Sequence, residues 1–256
     1  MFDLTHILYM IISALITAGL LVAARFFVKE QNSKNRILKI AAVITVLLHY
    51  SNLWVDYLTT GSAEVENNHL FPVYPCNVIM WLLLLTAFRK EKNDTFFTML
   101  AEFVFWGGIV CGSIGIIFNF NYDNTPSLLD YDVLKGLVSH STMLFGCIYV
   151  LVGGYIKIRV FNVVSSAVGL LFFLVDGFLV NSLYHIFGLE PVNAMYLLES
   201  PFPTMPWFSP VLMGAIGISL LFIGLAIYET RLPKEERWYH KLKEFSKTKE
   251  ERGRQA

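Results

Sequence analysis

Seven apolar runs of near-bilayer length follow one another along this chain, at about residues 6–28, 38–58, 74–88, 95–118, 137–156, 160–181 and 209–228. A helix needs about 20 apolar residues to cross a hydrocarbon core. A single run of this kind can be a buried helix of a soluble protein, but seven in 256 residues point to a membrane. Composition agrees, since 55% of the residues are hydrophobic and 16% are charged, against roughly a quarter charged in soluble domains. The sequence therefore predicts an all-α, polytopic membrane bundle of about seven transmembrane helices.

Charge predicts its orientation. Lys and Arg fall almost entirely in segments 25–39, 89–92, 157–159 and 231–254, which are alternate connections plus the tail, with Lys135 outside the pattern. By the positive-inside rule these face the cytoplasm, leaving the N-terminus outside and the C-terminus cytoplasmic. The first run follows Asp3 and His6 and has its basic residues after it, unlike a secretion signal, so it is expected to be a retained span. Residues 1–230 form the expected seven-span domain and 231–256 a cytoplasmic basic amphipathic tail. In that tail Trp238, Leu242 and Phe245 recur at helical spacing, which suits either an interfacial helix or a solvated segment. The opposite connections, 59–73, 119–136 and 182–208, are poor in base. The last carries four prolines with Tyr196, Phe202, Trp207 and Phe208, and is expected to fold back as a cover.

Polar groups inside spans are expensive and mark function by default. Here they gather towards one end of the bundle. Span two carries His49, Asn52 and Asp56 on one stripe; span three opens with Cys76 and Asn77; span five opens with Ser139, His140, Ser141 and Thr142; span six ends with Asp176, Asn181 and His185. Asn119 and Asn193 belong to the same end. The pattern predicts a cavity in the outer half. The stripe on span two also suits plain interhelical hydrogen bonding, and Asp176 a structural pairing with a histidine. Glu102 stands apart in an inner half, and Gly107, Gly108, Gly112 and Gly115 suit close helix packing.

Three cysteines give no even disulfide set. Cys111 and Cys147 lie inside apolar runs and read as packing. Cys76 differs, because Pro75 suits a first helical position and puts the thiol in the first turn, where free amides and the helix dipole favour thiolate. His140, at similar depth, is a candidate base for it. A metal site from His49, Asp56, His140 and His185 matches no ligand spacing, so no metal and no cofactor are expected.

The runs Phe71-Pro72-Val73-Tyr74-Pro75-Cys76-Asn77, Ser139-His140-Ser141 and Asn193-Ala194-Met195-Tyr196-Leu197, with Pro201 and Pro206-Trp207, resemble the YwaF-type integral-membrane family over roughly residues 40–230. Its eukaryotic members include cysteine-dependent transmembrane acyltransferases of phospholipid remodelling. A more distant similarity is to the androgen-induced transmembrane hydrolases. The resemblance implies that Cys76 carries an acyl group as a thioester and that His140 is its base. Tyr74, Asn77, His49, Asn52, Asp56, Asp176, His185 and Asn193 would be supporting or substrate-binding residues. Tyr74, Pro75 and Ala194 depart from the family pattern. The implied partners are membrane phospholipids and lysophospholipids, with no nucleic acid, and the expected location is the plasma membrane. The sequence carries no signal for an oligomeric state. Two other readings stay open: a lipid ester hydrolase using the same pair, and a non-enzymatic transporter or sensor using the outer cavity.

Overall fold

Short polar residues start several of the helices. Asp3, Asp94, Asp130 and Ser209 each precede a helix and accept a hydrogen bond from a first-turn N–H, and a proline takes the first helical position after Ser209 and in one other helix, at Pro75. The computed structural model describes residues 2–62, 65, 67–200 and 209–243. Its helices are α1 (Leu4–Phe27), α2 (Gln31–Thr60), α3 (Asn67–Leu70), α4 (Pro75–Phe88), α5 (Thr95–Ile117), α6 (Phe120–Asn124), α7 (Tyr131–Val152), α8 (Asn162–Ile186) and α9 (Pro210–Glu229), with no strand among the described residues. Seven helical segments are long and apolar enough to cross a membrane. This is an integral, multi-pass membrane protein.

The spans α2, α4, α5 and α7 pack most closely with one another, α8 lies against α5, and α1 against α7. Helix α9 touches α8 and buries only Leu225 and Glu229, so most of its apolar surface faces outward. In a bilayer that is where apolar surface belongs. Close approach between α5 and α7 depends on Gly108, where a Cβ would meet the Cys147 sulfur at 2.1 Å.

Hydrogen bonds identify the two ends. At one, Tyr122 donates to Asp3 (2.6 Å), Tyr131 to Ser51 (2.7 Å) and Tyr184 to the Asn67 carbonyl (3.0 Å). At the other, Tyr155 donates to Asn35 (2.8 Å), Lys92 to the last carbonyls of α4, and Arg159 to Glu236. The basic connections share this second end, and Cys76 lies towards the first.

Three details depart from the sequence reading. Helix α2 starts at Gln31 rather than near 38, because hydropathy locates the bilayer and not the polar turns that extend beyond it. Helix α7 runs from Tyr131 to Val152 rather than from 137 to 156, started by the Asp130 cap and stopped at Gly153. Helix α4 has only 14 residues, about 21 Å of a hydrocarbon core about 30 Å thick. Residues 67–74 complete this crossing as a short helix and a non-helical link. Irregular backbone at such depth is tolerated when protein satisfies it, and here Val73 O accepts from Met195 N (2.8 Å) while Tyr74 N donates to Asn77 Oδ1 (3.2 Å). Cys76 thus sits at a break inside a span.

Glu102, without a role in the sequence reading, accepts a hydrogen bond from Ser165 and joins α5 to α8. Glu229, overlooked there, is 1% exposed. It accepts from Val160 N (2.7 Å) and Trp238 N (2.6 Å), and the Trp238 ring meets Phe222. The segment after α9 is thereby tied to the bundle, and residues 238–243 are helical. Phe245 lies outside the described residues, as do Pro201, Phe202, Pro203, Pro206, Trp207 and Phe208 of the predicted cover.

Candidate functional site

The start of α4 is fixed atom by atom. Tyr74 is its N-cap in extended conformation, Pro75 takes the first helical position, and Cys76 follows in the first turn. The Asn77 and Val78 amides donate to Tyr74 O at 2.9 and 3.3 Å, and the Asn77 side chain accepts the Tyr74 N–H. That last bond sets which way the Asn77 amide points. Its nitrogen faces His49 Nε2 at 3.4 Å, and Asn77 donates there in the tautomer whose Nε2 carries no proton. His49 Nε2 also lies 3.4 Å from Asn68 O, and its ring packs edge-on to Tyr50 and His69.

His140 is held from the other side. Its Nδ1 lies 2.8 Å from Gly136 O, and a carbonyl can only accept, so Nδ1 carries the proton and Nε2 keeps its lone pair. Nε2 has no hydrogen-bond partner among the described residues. The imidazole lies flush against Gly115 of α5, where a Cβ would meet its Cδ2 at 2.0 Å and its Nε2 at 2.3 Å. Gly115 is therefore shaped to the histidine rather than simply to a neighbouring helix.

A cavity of about 30 Å³ joins these groups. Thr45, His49, Cys76, Asn77, Met80, Ser139, His140 and Met143 line it. It has room for a water molecule or two and none for an acyl chain. Its hydroxyls turn back on their own helices, Thr45 to Ala41 O (2.8 Å) and Ser139 to Gly136 O (3.0 Å). What faces the space is a half-buried thiol, an imidazole with a free basic nitrogen, and a second imidazole held by an amide. That set can take a proton from a thiol and return it to a leaving group.

Four of the sequence candidates therefore meet: Cys76, His140, Asn77 and His49. The rest lie elsewhere. Tyr74 caps α4 and packs on Tyr196 at 5.8 Å between ring centroids. Asn52 is buried one turn along α2, and Asp56 is half-buried a further turn towards the helix end. His185 is exposed in the last turn of α8. Asp176 is part-buried on α8 with Oδ2 unpartnered among the described residues. Asn193 closes a local loop through Leu198 N (3.0 Å), Glu199 N and Glu199 O. Among the described residues no group of three His, Cys, Asp or Glu side chains is placed to hold a metal ion.

Sequence reasoning passed over Thr45, Met80 and Met143. Thr45 was findable, because it continues the His49 stripe four residues inward. It also passed over Ser141 as a packing group: Ser141 accepts or donates to Tyr9 (3.0 Å) and Ser13 (2.7 Å) and joins α1 to α7.

Against models of known families, residues 1–228 match the one described as the TMEM164 family. The match is made to neither the YwaF-type family nor the androgen-induced hydrolases. No curated protein and no solved structure matches the chain.

Proposed function

The chain belongs to the TMEM164 family, and from that premise and the site geometry we propose that it is a membrane acyltransferase that moves a fatty acyl group between a phospholipid and a lysophospholipid. The observation that carries the reading is the shared cavity: Cys76 and His140, 64 residues apart in sequence and on different spans, line one small space, and the histidine's uncommitted nitrogen is the basic one.

In this reading His140 Nε2 takes the Cys76 proton and the sulfur attacks an ester carbonyl. The carbon–oxygen bond of the ester then breaks, the leaving alkoxide takes the proton back from His140, and an acyl-thioester remains. A lysophospholipid hydroxyl reverses the sequence with His140 again as base. Asn77 holds His49 beside the pair, and the apolar walls from Met80 and Met143 keep bulk water low. Because the cavity is too small for a chain, this reading requires the site to open for the donor lipid to reach the sulfur. The basic end of the bundle faces the cytoplasm under the positive-inside rule, which puts Cys76 in the outer half of the membrane, and the plasma membrane is the proposed location.

The same cavity supports one competing outcome. A water held there would stand beside the thioester, and the enzyme would then be a hydrolase. Purified protein in phosphatidylcholine vesicles with a labelled lysophosphatidylcholine separates these. The transferase reading expects labelled diacyl lipid from wild type and none from Cys76→Ala. Free fatty acid in place of diacyl lipid would establish hydrolysis, and equal turnover by Cys76→Ala would sink both.

A further inference from the structure

The acyl-transfer reading leaves one requirement unmet by the groups described so far. When the thiolate adds to an ester, the carbonyl π pair moves to oxygen, and that oxyanion needs donors aimed at it. The start of α4 is nearly exhausted. Pro75 has no N–H, the Asn77 and Val78 amides both donate to Tyr74 O, and the Asn77 side chain is committed to the Tyr74 amide and to His49. Of the first-turn amides, that of Cys76 itself is left.

A second donor is brought to the entry of α4 by the loop after α8. Its three-residue turn, Ala194–Tyr196, docks on α8 and on the entry to α4 at once. Asn181 holds Ala194 at both its N–H (2.9 Å) and its carbonyl (3.3 Å). Met195 N donates to Val73 O (2.8 Å), three residues before the sulfur, and the Tyr196 ring packs on Tyr74. Met195 and Tyr196 both have positive φ, at 53° and 57°, a left-handed conformation that side chains other than Gly, Asn and Asp rarely adopt. A surrounding structure must over-determine such a turn for it to persist. Gly177 contributes to that, since a Cβ there would stand 2.9 Å from Met195 Cβ and 3.0 Å from Ala194 O. The outcome of the strained turn is a half-buried phenol packed on Tyr74, two residues before Cys76, whose hydroxyl has no hydrogen-bond partner among the described residues. Burial first, then the neighbouring Cys76, Tyr74 and Cys111, push that phenol up to about 12, so it remains a donor at neutral pH.

We propose that Tyr196 is a catalytic residue, donating its hydroxyl hydrogen to the ester oxygen as the tetrahedral intermediate forms on Cys76. The inference rests on the acyl-thioester reading. The step balances without a further reactant: the sulfur–carbon bond forms, the π pair goes to oxygen and is held by the Tyr196 O–H and the Cys76 N–H, and it returns as the carbon–oxygen bond to glycerol breaks and the alkoxide takes the proton from His140. Tyr196 keeps its own proton throughout. Asn181 acts through Tyr196 and is a positioning residue.

The test is Tyr196→Phe, which keeps the ring and removes the hydroxyl, in full-length protein reconstituted in phosphatidylcholine vesicles beside Cys76→Ala. The readouts are the rate of acyl-thioester formation, its dependence on lipid concentration and pH, and the rate of Cys76 alkylation by a maleimide. The proposal expects thioester formation about 10²-fold slower at saturating lipid, the scale of one lost oxyanion donor. Half-saturation, the shape of the pH profile and the alkylation rate should not change. A Tyr196→Phe rate within twofold of wild type, with Cys76→Ala inactive, would overturn it and leave the acyl-thioester reading standing. An equal loss in alkylation would show Tyr196 to be merely structural and would also overturn it. Acylation persisting in Cys76→Ala would overturn the underlying reading and this one together.

Discussion

Replacing Gly115 with alanine should disable His140 without replacing any ionisable residue. A Cβ at this position would lie 2.0 Å from Cδ2, 2.3 Å from Nε2 and 2.6 Å from Cγ of the imidazole, where ordinary contact begins near 3.4 Å. The ring would have to retreat by about 1.4 Å, and the Gly136 carbonyl that holds its Nδ1 at 2.8 Å stays behind on the same helix. Overpacking of this kind costs about 1–3 kcal/mol, and alanine's better helix propensity returns up to about 1 kcal/mol of it. Displacement of a base by about 1 Å costs a reaction on the order of 10²-fold. Gly115→Ala is therefore expected to lower acyl transfer about 100-fold with a drop in thermal midpoint of a few degrees. Gly19→Ala on α1, where nothing lies within 4 Å of the added carbon, should leave both unchanged. Transfer to labelled lysolipid and detergent-phase melting measure the two effects. A Gly115→Ala protein with wild-type turnover would refute the claim that His140 works from the place it occupies here.

Three further outcomes follow from other contacts. Asn77→Ala leaves the Tyr74 N–H without its acceptor and His49 without its donor; it should destabilise the protein by about 1–3 kcal/mol in chemical denaturation and slow transfer, and an unchanged midpoint would contradict the role given to this amide. Glu229→Ala strands the Val160 and Trp238 amides, so limited proteolysis should cut after Arg231 sooner than in wild type, with transfer intact. Lys92, between α4 and α5, is held down to about 8 by burial and then by Lys39. The unfolded chain binds the extra proton between that value and the ordinary lysine range, so stability should rise with pH from about 8 to about 10. Lys92→Met should flatten that rise, and identical pH profiles for the two proteins would remove the explanation.

Much of this arrangement can be read in the sequence, because a bilayer leaves few choices. Apolar length locates the spans, and the gathering of His49, Asn77, Cys76 and His140 at one depth announces a shared cavity. Depth, however, says nothing about which way a side chain faces round its helix. Asp56, Asp176 and His185 lie at the same end as Cys76 yet do not line its cavity: Asp176 and His185 belong to α8, outside the α2, α4 and α7 walls, and Asp56 lies two turns beyond His49 on α2. Helix starts fall earlier than hydropathy places them, at α7 because the Asp130 cap acts on the backbone and at α2 because the polar turns of Gln31–Arg36 continue the helix outside the apolar run. Tyr196 was visible as an aromatic of the last loop, but its place against Tyr74 at the entry to α4 depends on two positive φ angles and on an Asn181 clamp that no periodicity encodes. Glycines 107, 108, 112 and 115 looked alike in sequence, and only their neighbours separate Gly115, which seats the imidazole, from Gly108, which seats a cysteine.

The central claim is that Cys76 carries the acyl group, and intact-protein mass spectrometry after incubation with phosphatidylcholine vesicles tests it most directly. The account predicts a mass increase of one fatty acyl chain, removed by neutral hydroxylamine as a thioester is, absent from Cys76→Ala and much reduced in His140→Ala. An adduct that persists in Cys76→Ala, or a wild-type protein that shows none with any phospholipid offered, would contradict it.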